Sequence, residues 1–150
     1  MKRILSTVAC LLLVLTVLAG CSLSKTAITS SDFESIMKAE GFQVVDATED
    51  VDGGSAVLKA TFATKDGLQY EYYLLSDTKT AQNVFESNKY SIEEGSGAYS
   101  SVNGSNYATF SGEYDGKYYY IAYVEDTMIY VEAEAAQKAD VKAIIEKLGY

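Results

Sequence analysis

Residues 107–133, YATFSGEYDGKYYYIAYVEDTMIYVEA, decide the fold. Two turn pairs, Asp115-Gly116 and Glu125-Asp126, divide the stretch into three runs: Tyr107 to Tyr114, Lys117 to Val124 and Thr127 to Ala133. Asp-Gly between two such runs is a strong signal for a two-residue hairpin, because both central residues of the turn need positive φ. The stretch therefore reads as an antiparallel meander. Pairing through the turns puts Ala108, Phe110, Tyr119, Ile121, Tyr123, Met128, Tyr130 and Glu132 on one face. Thr109, Ser111, Tyr118, Tyr120, Ala122, Val124, Ile129, Val131 and Ala133 fall on the other. Neither face is cleanly polar. A sheet wetted on one side alternates sharply, so cover on both faces is expected.

Upstream, Ala56 to Thr64 and Leu68 to Leu75 flank a second Asp-Gly turn, Asp66-Gly67, and form another hairpin. Phe42 to Ala47 reads as one more strand. Helices punctuate these strands. Ser31 to Glu34 has the form of a capping box, Phe33, Ile36 and Met37 share a face, and Gly41 supplies the stop. Ser76-Asp77 caps a second helix whose stripe is Ala81, Val84, Phe85 and Asn88. A third runs from about Ala136 to Leu148 by the stripe Val141, Ile144, Ile145 and Leu148, with Gly149 as its end. Ser91 to Asn106 is rich in Ser, Gly and Asn and shows no period. It reads as a long loop, mobile or functional. The expected class is α+β: an antiparallel sheet of about five to six strands and three helices, in the order α-β-β-β-α-β-β-β-α. That order resembles the antiparallel α/β/α sandwich of the PsbP/Mog1-like group, an analogy of layering alone.

The first residues are of another kind. Met1-Lys2-Arg3 is positive, Ile4 to Val17 is uncharged and apolar, and Leu18-Ala19-Gly20-Cys21 follows. This is the layout of a signal peptide, too short for a comfortable membrane span. Its ending resembles the lipobox of bacterial lipoproteins. The resemblance implies cleavage between Gly20 and Cys21, a diacylglycerol and fatty acid on Cys21, and a lipid anchor on the extracytoplasmic face of a bacterial cell membrane. Several acyl chains together hold a protein firmly where one holds it only marginally. The expected organisation is a signal peptide over 1–20, a lipidated N-terminus and flexible tether over 21–30, and one globular domain over 31–150.

Composition narrows the chemistry. The chain has 150 residues and a net charge of −9. Removing residues 1–20 takes away two of its twelve basic residues and none of its 21 acidic ones, which leaves −11. A nucleic-acid partner is excluded on that balance, since phosphate binding needs clustered cations. Beyond Cys21 there is no His, Arg, Trp, Pro or second cysteine. The usual neutral-pH general base, thiol nucleophiles, thiolate metal sites and disulfides are all missing. Carboxylate pairs of glycosidase type remain.

Two constellations stand out. Asp46, Glu49, Asp50 and Asp52 are candidate calcium ligands: Thr48-x-Asp50-x-Asp52-Gly53 approaches the opening of an EF-hand loop, but Thr48 stands at its first position and Lys59 at its twelfth. A solvated turn explains the acids better. Tyr118, Tyr120, Tyr123 and Tyr130 offer an aromatic surface for a ligand, although alternation sends tyrosines to both faces and favours a structural role. Three functions follow: a non-catalytic binding or regulatory module whose partner is an envelope protein or glycan; a carboxylate-dependent glycan hydrolase; and a calcium-dependent surface module.

Overall fold

The computed structural model describes residues 24–95 and 97–150. The expected signal peptide, with Gly20 and Cys21, lies outside the described residues. Helix α1 (Ser30–Ala39) leads into β1 (Gln43–Asp46). A 3-10 turn (Gly54–Ala56) precedes the hairpin β2 (Val57–Lys65) and β3 (Leu68–Leu75). Helix α2 (Thr78–Glu93) crosses to β4 (Ala98–Asn103), β5 (Tyr107–Tyr114), β6 (Lys117–Val124) and β7 (Thr127–Glu134). A second 3-10 turn (Ala135–Gln137) opens α3 (Lys138–Leu148).

The strands form one sheet in the order β1-β2-β3-β7-β6-β5-β4, antiparallel throughout. The two hairpin units meet where the last strand, β7, pairs with β3, Tyr72 opposite Ile129. Both Asp-Gly turns have positive φ at each central residue: 51° and 80° at Asp66-Gly67, 49° and 77° at Asp115-Gly116. That is the geometry whose twist matches the flanking strands.

Both faces of the sheet are covered, as the mixed alternation implied. On one, Tyr118, Tyr120, Ala122, Val124, Ile129 and Val131 pack with Phe33 and Met37 of α1 and with Val141, Ile144, Ile145 and Leu148 of α3. On the other, Ala108, Phe110, Ile121 and Met128 pack with Ala81 and Phe85 of α2. Among the described residues two helices cover the first face and a single helix the second.

The structure corrects three expectations. The sheet has seven strands where five to six were expected, because the segment read as an irregular loop from Ser91 to Asn106 holds the end of α2 and all of β4. Strand β4 is exposed along its whole length at the sheet edge, so no buried side had to be apolar and no period appears. The cap of α1 is Thr29, whose Oγ1 accepts the Asp32 N–H at 3.1 Å, and Ser31 lies inside the first turn. Capping at Thr29 places Ile28 and Phe33 at the two positions of a hydrophobic staple, both against the same core. The tether, expected to be free to residue 30, is docked from Lys25: Asn106 Oδ1 accepts the Lys25 N–H at 2.9 Å, and Asn106 Nδ2 donates to the Lys25 carbonyl at 2.7 Å. Among the described residues no helix is long and apolar enough to cross a membrane.

Candidate functional site

Because α2 packs chiefly on β6, with β5 and β7 beside it, the β2–β3 side of that face is only partly covered. A cleft of about 340 Å³ opens there. Its floor comes from neighbouring strands: Glu71, Tyr73 and Leu75 of β3 beside Met128 and Tyr130 of β7. Register explains the grouping, since Glu71 stands opposite Tyr130 and Tyr73 opposite Met128. Val84 and Asn88 of α2 form one wall. Val51, Asp52 and Gly53 of the acidic loop, with Val57, form the other. Gly53 is needed at that wall: a Cβ there would stand 2.2 Å from a Val57 methyl.

The polar groups of the floor are linked. Tyr73 donates its hydroxyl to Glu71 Oε2 at 2.5 Å, and Gln69 Nε2 donates to Glu71 Oε1 at 2.8 Å. Each carboxylate oxygen keeps a further lone pair. Burial, then the bond to Glu71, holds the Tyr73 phenol well above its ordinary value. Burial, then the charges of Glu132, Tyr119 and Glu71, pushes Tyr130 up to about 12. Both rings therefore stay neutral at physiological pH, and Glu71 is a fixed acceptor between them. Asn88 spends its amide on the Val84 carbonyl at 2.9 Å, one turn back.

Of the four tyrosines singled out in the sequence, only Tyr130 lines this cleft. Tyr118 and Tyr120 are buried in the core under α1 and α3. Tyr123 is on the α2 face but packs edge-on against Phe85, ring centres 5.3 Å apart. The four do not make one surface, because successive residues of β6 point to opposite sides. The acidic loop is divided as well. Asp52 lines the cleft, whereas Asp46, Glu49 and Asp50 border a separate depression shared with Lys59. Asp46 Oδ1 accepts from Thr48 N–H at 3.0 Å and Thr48 Oγ1 at 2.6 Å, and Lys59 Nζ is 3.5 Å from its other oxygen. Those bonds to Thr48 hold the Asp46 carboxyl below its usual range. Among the described residues no group of three or more metal-binding side chains converges.

Glu71, Tyr73, Val84 and Asn88 were not foreseen as a site. One signal was available: Asn88 is the polar member of an otherwise apolar helix stripe. Its partners could not be named before the order β3-β7 was known. No protein-family model, no curated protein and no solved structure matches this chain.

Proposed function

We propose that this protein is a lipid-anchored, extracytoplasmic binding module that catalyses no reaction and holds a small ligand in the cleft beside α2. The observation that carries the reading is the cleft itself. It is concave, walled by apolar side chains, and has a few convergent polar groups on its floor, the usual make-up of a ligand site. Leu18-Ala19-Gly20-Cys21 supports the anchor, and the residue types absent beyond Cys21 support binding without catalysis.

Two measurements test the reading. A fatty-acid analogue fed to cells should label the wild-type chain and leave Cys21→Ala unlabelled; an unlabelled wild type removes the anchor. A thermal-shift screen of small organic compounds should find ligands that raise Tm of the wild type and not of Val84→Trp, whose indole fills the cleft. Ligand at 100 times its Kd should stabilise by about 2.7 kcal/mol. Release of reducing ends from envelope glycans, abolished by Glu71→Gln, would replace binding with hydrolysis.

A further inference from the structure

We infer that the cleft selects a small organic cation, an aryl- or alkyl-ammonium, over neutral and anionic molecules of the same size. The inference rests on the binding reading above and adds the class of ligand.

The argument is one of charge and shape together. Among the described residues, the ionisable groups lining the cleft, apart from its tyrosines, are Asp52 and Glu71, both acidic, and no lysine lines it. Two aromatic side chains flank Glu71: Tyr73, which it holds by a hydrogen bond, and Tyr130, its cross-strand neighbour. One row further along the same face the pattern repeats, with Glu132 opposite Tyr119. Two carboxylate–ring pairs thus stand in adjacent rows, Glu71 with Tyr130 across β3 and β7 and Glu132 with Tyr119 across β7 and β6. A ring face attracts a cation, and the attraction grows when water is excluded. Val57, Val84, Leu75 and Met128 supply the apolar wall that excludes it. An ammonium seated over Tyr130 would find a carboxylate already oriented by two donors.

An anion would meet the opposite. It would be desolvated beside Glu71 and Asp52 with no cation in the lining to receive it. The net charge of −9 extends the same preference beyond the cleft by attracting cations to the surface. The volume, about 340 Å³, is near the lower end of the roughly 300–1,000 Å³ spanned by small-molecule sites. It suits one ring with a short ammonium arm and is too small for an oligosaccharide.

The test is calorimetry on the folded chain at low ionic strength, where screening is weakest, with three probes of nearly equal size: benzylammonium, benzyl alcohol and benzoate. Benzylammonium should bind at least tenfold tighter than benzyl alcohol, and benzoate should give no heat of binding. Glu71→Gln should weaken the cation at least tenfold and leave benzyl alcohol unchanged. Tyr130→Leu should weaken the cation and Tyr130→Phe should not, since the ring is kept. Circular dichroism melting of each variant confirms that it folds. Equal affinity for cation and alcohol, unaffected by Glu71→Gln, would overturn the charge selection while leaving a binding cleft. Absence of binding by all three probes, with Val84→Trp indistinguishable from wild type, would overturn the cleft as a site at all.

Discussion

Tyrosine carries more of this molecule than any other side chain, and its hydroxyls differ in what they meet. Tyr150 is buried and donates to Thr127 Oγ1 at 2.5 Å, and Thr127 in turn donates to the Val124 carbonyl at 2.8 Å. Tyr72 donates to the Ile28 carbonyl at 3.0 Å. The hydroxyls of Tyr70 and Tyr118 are equally buried and have no hydrogen-bond partner among the described residues. Losing a partnered hydroxyl leaves its acceptor unpaired, whereas losing an unpartnered one relieves a desolvated group. Tyr150→Phe should therefore cost about 1 kcal/mol, and Tyr118→Phe should be neutral or stabilising, as read by urea unfolding. The same burial sets the alkaline limit. Tyr70, Tyr72, Tyr73, Tyr120, Tyr130 and Tyr150 are all raised above the ordinary phenol value, chiefly by desolvation, Tyr72 and Tyr130 to about 12. Above pH of about 10 the unfolded chain sheds phenol protons that the folded chain keeps, so the folded state binds more protons and stability falls as pH rises. The contribution is whole below pH of about 10 and is lost towards the folded-state values. The tyrosinate absorbance that belongs to these six should appear cooperatively with unfolding; ionisation of all 13 tyrosines in a chain that stays folded would refute the shifts.

At the scale of elements, one helix bears a disproportionate share. Phe85 of α2 is fully buried and meets Tyr123 edge-on at an interplanar angle of 72°. Among the described residues no second helix packs on its face, whereas α1 and α3 share the other. Phe85→Ala should cost about 3–5 kcal/mol, and it should also loosen the cleft, because Val84 and Asn88 ride on the same helix. Tyr99→Ala on β4 should cost far less. Its ring tilts over Phe110 at 5.4 Å but is 55% exposed. Denaturant midpoints of the two variants compare them directly. The contrast also explains what the sequence made legible. Phe85, Ala81 and the alternating residues of β5, β6 and β7 are apolar because they are buried, so periodicity reports them. Strand β4 is held by backbone pairing to β5, Ser100 opposite Ser111, and backbone bonds leave no mark on side-chain pattern. The cleft was hidden for a related reason. Glu71 and Tyr73 look like ordinary strand residues until β7 is known to pair with β3, a contact between residues far apart in the chain.

For the whole molecule, the docked segment at Lys25 decides how an anchored domain would stand on its membrane. The Asn106 amide holds both backbone groups of Lys25 and also reaches Glu125 Oε1 at 3.2 Å, while Lys25 Nζ donates to the Gly149 carbonyl at 3.2 Å. The chain therefore leaves the domain at the pole formed by the β4–β5 and β6–β7 turns. Between Lys25 and the proposed lipid site at Cys21 lie four Cα steps, which span at most about 14 Å when fully extended. The opposite pole, marked by the Asp115-Gly116 turn and the Ala135 N–H that donates to the Gly116 carbonyl at 2.9 Å, is a strand length away. For the eight residues of β6 that is about 23 Å. A fluorophore on Ser105→Cys should be quenched by spin-labelled lipid headgroups, and one on Ala136→Cys should not. If, as proposed, Cys21 is acylated and Cys10 is removed with the leader, each introduced thiol is unique. Asn106→Ala should free Lys25, lengthen the tether and reduce the difference between the two labels. Equal quenching at both sites of the acylated wild type would mean that the domain tumbles freely despite the clamp.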